Sequence, residues 1–137
     1  EISELMRITN NIERIGDSME SVSMLLEKMY DNNLEFSDKA KQELIVLSNK
    51  VEQFIDHIIK ELHEKTEGFY PIALEFEDTI DQMREDMRSQ HVERLREMEC
   101  SVDTGVFFIS LISHYERMGD YCYNIASGVN KISNDSI

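Results

Sequence analysis

Residues 114–129 read HYERMGDYCYNIASGV, and residues 11–26 read NIERIGDSMESVSMLL. Both place Glu-Arg-apolar-Gly-Asp at the same register, at 116–120 and at 13–17. Around the later copy, apolar side chains fall at Phe108, Leu111, Tyr115, Met118, Cys122, Ile125, Val129 and Ile132. These steps of three and four residues are the seam of a packed helix. Around the earlier copy the seam is Leu5, Ile8, Ile12, Ile15, Met19, Val22, Leu26 and Met29. Adding 103 to 5, 12, 19 and 29 gives 108, 115, 122 and 132, so the repeat covers two whole helices.

Between the copies, two further helices are expected. Turn-forming Asp31, Asn32 and Asn33 precede Ser37, a candidate N-cap with Phe36 as its staple. A seam then runs through Ala40, Leu44, Leu47, Val51, Phe54, Ile58 and Leu62. Gly68 and Pro71 suit a stop and a restart, and Phe76, Ile80, Met83 and Met87 carry the third helix. Ser101 or Asp103 caps the fourth. No stretch alternates with the period of a strand, and only the final SNDSI reads as frayed. The expected fold is all-α, one domain over 1–137, an antiparallel up-down bundle of about four long helices.

The chain has 137 residues, 41% apolar and 31% charged, with a formal net charge of −14. Such an acidic surface argues against a nucleic-acid partner, which needs clustered Lys and Arg. No apolar run reaches the roughly 20 residues of a spanning helix, so this piece is not expected to insert in a membrane. Cys100 and Cys122 have neither disulfide-framework nor zinc spacing. The sequence begins at Glu1 inside a periodic pattern, as expected of a piece of a longer protein. The four histidines share no metal-type spacing, and surface or hydrogen-bonded roles are expected for His63, His91 and His114. His57, in HIIKE, resembles the start of a histidine phosphotransfer bundle, an alternative that lacks the expected glycine at Glu61. A di-iron bundle needs Glu-x-x-His pairs, and the sequence has none.

The pentapeptides put Glu13 with Asp17, and Glu116 with Asp120, side by side on a helix face, about 100 degrees from the seam. Like charges so placed repel by a few tenths of a kcal/mol, and Gly16 and Gly119 each cost about 1 kcal/mol against Ala in a helix. A cation would turn the repulsion into affinity, and carboxylates suit magnesium, manganese or ferric iron. The alternative is a solvated charged face with Arg14 and Arg117 offsetting the acids. The acidic cluster Glu75, Glu77, Asp78, Asp81, Glu85 and Asp86 of the third helix is mostly solvation, with one or two members available to complete a metal shell.

The stretches NNIERIGDSMESVSMLL and SHYERMGDYCYNIASGV resemble the two signature helices of PhoU proteins, and ALEFEDTIDQMREDM is similar to that family's acidic penultimate helix. The resemblance spans nearly the whole chain but only four of the six helices of a full PhoU protein. A shortened unit of this kind resembles the C-terminal portion of bacterial sodium/phosphate cotransporters. The resemblance implies multinuclear iron or zinc, ahead of magnesium or manganese, held by Glu13, Asp17, Glu116 and Asp120, with Asn124 matching a family asparagine. Ser21 stands at the corresponding place in the first copy, and Ser18 and Tyr121 stand where the family often has His.

On this basis the expected function is regulatory, not enzymatic: a metal-binding accessory domain in phosphate uptake, on the cytoplasmic side of the inner membrane. Its expected partner is its own transporter's membrane domain or another subunit, with a homodimer covering any apolar flank left bare. A metal-free helical interaction module is the alternative.

Overall fold

The computed structural model describes residues 1–64 and 66–135. They form four helices: α1 (Ile2–Asp31), α2 (Asp38–Glu64), α3 (Phe69–Arg96) and α4 (Val102–Asp135). The expected all-α bundle is therefore present. Of the terminal SNDSI, Ser133–Asp135 continue α4, and the last two positions lie outside the described residues.

The caps behave as local chemistry requires. Ser37 Oγ accepts the Ala40 N–H at 3.2 Å, and Ser101, not Asp103, caps α4 by accepting the Thr104 N–H at 3.1 Å. Each satisfies a first-turn donor that has no partner inside its own helix. Asn33 reverses the chain after α1 at a φ of 54°, a backbone state that asparagine tolerates better than most residues. Phe36 packs edge-on against Phe108, with ring centroids 5.8 Å apart.

α4 is the hub of the fold. α2 and α3 pack on each other and on α4, whereas the α1 backbone comes close to α4 alone among the described residues, with Met19 and Val22 of α1 sharing a groove with Val51 and Ile55 of α2. Contacts between α1 and α4 run in opposite directions, from Glu4 with Lys131, through Ile8 with Gly128, to Asn11 with Asn124. α4 is accordingly apolar around much of its girth, with Phe108, Leu111, Ile112, Cys122, Ile125 and Ala126 all buried. Burial pushes the Cys122 thiol up to about 12, which leaves it inert.

The α1 seam departs from expectation. Leu5, Ile12, Met19 and Leu26 are about half exposed, while the buried line is Ile8, Asn11, Ser18, Val22 and Met29. With one helix close to its backbone, α1 buries only a narrow strip, and two polar residues occupy it. The apolar stripe beside that strip is left open to solvent.

His91 is another correction. It is buried, and stacks on Phe108 at 5.0 Å between centroids. Beside it, Arg94 lies 5.2 Å from the Phe108 centroid and pairs with Glu43 of α2, joining three helices at one end. Removing one partner of a buried pair leaves the other charge uncompensated. Arg94→Ala should therefore lower unfolding free energy by about 3 kcal/mol in urea denaturation; a loss below about 0.5 kcal/mol, the scale of an ordinary surface change, would show that the pair is solvated.

Candidate metal centre on the α3–α4 face

The two pentapeptides sit in different surroundings. At Gly119 a Cβ would lie 3.3 Å from Ile80 and 3.8 Å from Glu77 Oε2, whereas at Gly16 it would meet nothing within 4 Å. The glycine of the second copy thus lets α3 come close to α4, and that of the first has no such duty. Glu13, Gly16 and Asp17 are all exposed on α1.

The close approach gathers carboxylates from both helices. Glu77, Asp81 and Asp120 each offer an oxygen within 4.8 Å of the others, and all three are partly buried. Glu77 and Asp81 repeat the Glu-x-x-x-Asp spacing of the pentapeptides, a signal that sets them apart from the other acids of α3 and that the sequence reading did not use. Glu116, one turn before Asp120, turns to Arg84 of α3 at 2.9 Å. Asn124 does not join the acids: its Nδ2 donates to Asn11 Oδ1 at 3.2 Å. Of the five residues expected at the site, Asp120 sits in the cluster and Glu116 at its edge. Asn124 bridges α1 to α4, and Glu13 and Asp17 stand apart on α1.

Repulsion in this cluster is visible in its protonation. Glu77 is pushed up to about 8, first by burial and then by a shared proton and negative charge at Asp120, with Asp81 and Glu116 adding to it. Its Oε2 is buried with no donor from the protein, so a bond between the Glu77 and Asp120 carboxyls exists only while one of them keeps a proton. Burial and the Asp120 charge also raise Asp81. Burial raises Glu116 as well, against the opposing charge of Arg84. The three carboxylates make an all-oxygen donor set of the kind that hard multivalent cations take.

His57 has a structural partner: its Nε2 lies 3.1 Å from the Phe69 carbonyl, and its ring leans on Phe76. As the donor it ties the end of α2 to the start of α3.

A PhoU domain profile matches residues 44–129, which covers α3, most of α2 and α4 through its glycine motif. The chain belongs to the PhoU domain family. Among curated proteins it is 24% identical over 128 residues to the phosphate-specific transport system accessory protein PhoU homolog 1 of Thermotoga maritima, covering 93% of this chain and 54% of that protein. It is 26% identical over 123 residues to the PhoU homolog of Archaeoglobus fulgidus, covering 90% and 52%. The chain thus spans about half the length of these PhoU relatives. No solved structure matches it. No helix among the described residues is long and apolar enough to cross a membrane.

Glu77 makes stability depend on pH. Its folded pKa stands above the ordinary carboxylate value of 4.5, so the stability it contributes is complete below 4.5 and is lost as pH rises through about 8. In chelator, Glu77→Gln should match the unaltered protein near pH 4 and exceed its melting temperature near pH 8. Parallel melting curves of the two proteins across that range would mean that Glu77 ionises freely in the fold.

Proposed function

We propose that this chain is a regulatory PhoU-type domain in phosphate uptake, the tail of a sodium/phosphate cotransporter on the cytoplasmic side, which senses a metal through Glu77, Asp81 and Asp120. The reading rests on one observation: in a PhoU domain chain, a glycine-permitted contact gathers carboxylates from two helices around a buried, donorless oxygen. The two relatives, both accessory proteins of phosphate-specific transport systems, support the phosphate link.

The bound ion would neutralise the cluster and hold α3 against α4. Glu116 would serve from the edge, exchanging Arg84 for the ion. An all-oxygen set favours ferric iron, manganese or magnesium, and zinc accepts carboxylates as well. The domain acts by binding and not by catalysis. Its output is contact with protein, for which the open stripe Leu5, Ile12, Met19 and Leu26 on α1 is suited. That stripe also supports a second reading, a metal-free module that docks the membrane portion of its own transporter, another subunit or a second copy.

Two comparisons separate these readings. Glu77→Gln with Asp120→Asn should weaken metal binding by about tenfold or more in equilibrium dialysis with folded protein, while Glu13→Gln with Asp17→Asn leaves it unchanged. Equal loss in both variants would mean diffuse binding by the acidic surface, and no binding in any of them would leave the metal-free module. In cells, phosphate uptake by the parent protein should lose its regulation when Glu77 and Asp120 are so changed. Regulation identical to unaltered cells would remove the metal-sensing reading.

A further inference from the structure

α1 carries a second array of side chains that the carboxylate cluster does not use. Ser3, Arg7, Asn10 and Arg14 follow one another by steps of four, three and four, which lines up four hydrogen-bond donors on one face. Together with Asn11 and Asn124 they line an open cavity of about 520 Å³, within the size range of small-molecule sites. No Asp or Glu lines it, although the chain has 28 acids against 14 Lys and Arg.

The floor of this cavity is built, not fluid. Asn11 is 4% exposed; its Nδ2 donates to the Arg7 carbonyl at 2.8 Å, and its Oδ1 accepts from Asn124. The two arginines are lightly engaged. Arg7 has Glu4 at 3.8 Å, a carboxylate that also faces Lys131 at 3.7 Å, and Arg14 has no carboxylate partner among the described residues.

Paired guanidinium donors match the oxygens of phosphate groups, and neutral amides complete their hydrogen bonding. We propose that this cavity binds a phosphate-type oxyanion, either free or carried by a small phosphorylated molecule, with Arg7 and Arg14 on its charge and Asn10 and Asn124 as neutral donors. Met6 and Ile2 at the rim give a phosphorylated molecule an apolar wall that inorganic phosphate would not use. The site stands apart from the metal reading, since it needs neither Glu77 nor Asp120.

The test is calorimetric titration of this chain in chelator at low ionic strength, with inorganic phosphate, tripolyphosphate and ATP as separate probes. Side-chain amide resonances of the asparagines are followed in parallel. At least one probe should bind saturably and move the amides of Asn10, Asn11 and Asn124. Arg7→Gln with Arg14→Gln should weaken that binding by about tenfold or more while thermal unfolding stays unchanged. Tightest binding of ATP would assign the ligand to a phosphorylated molecule using the Met6 wall; tighter phosphate or tripolyphosphate would assign it to the free oxyanion. No saturable heat and no amide shifts with any probe, or equal affinity in the double variant, would overturn the proposal.

Discussion

The approach of α3 to α4 at Gly119 is the constraint on which the chemistry of this chain depends. A side chain at that position would press on Ile80 and come into contact with Glu77. Its absence brings two helices, each with a Glu-x-x-x-Asp pair, close enough for carboxylates to meet. One helix alone offers acids to water, where repulsion is weak and screened. Two helices in contact remove some of that water, and the repulsion then becomes large enough to hold a proton on Glu77 near neutral pH. The same contact therefore sets packing, protonation and affinity for a cation.

The duplicated pentapeptide demonstrates this by contrast. Ile15 and Met118 occupy the same register, but Met118 is buried while Ile15 is only partly covered. Neither α2 nor α3 approaches the α1 backbone closely among the described residues, and Glu13 and Asp17 are exposed. Nearly identical residues thus carry different physics. What decides is the neighbour, which a helix cannot supply for itself.

Much of the fold was legible in the sequence because helix seams and caps are local. The seams of α2 and α4 lie in the core along most of their length, and Ser37 and Ser101 act as caps. The α1 seam failed because periodicity locates an apolar face without reporting how many helices will cover it. Asn11 and Ser18, polar in the sequence, sit in the interface with α4 while Ile12 and Met19 face outward. Of the site, Glu116 and Asp120 were read from their motif, and Asp120 reached the cluster. The partners Glu77 and Asp81 had the same spacing but were masked by five other acids on the same helix. Their distinction is positional: Ile80 between them packs toward Gly119, which turns this pair inward. His91 and Arg94 were hidden for a related reason, since only Phe108 and Glu43 across the fold explain why a ring and a charge sit at the interface.

The most direct measurement is paramagnetic broadening of the backbone resonances by trace manganese, which reads the ion's position residue by residue. If the contact at Gly119 builds the site, signals around Glu77, Asp81 and Asp120 vanish first, while those around Glu13 and Asp17 persist. Broadening that begins at Glu13 and Asp17, or spreads evenly over the acidic surface, would contradict the account.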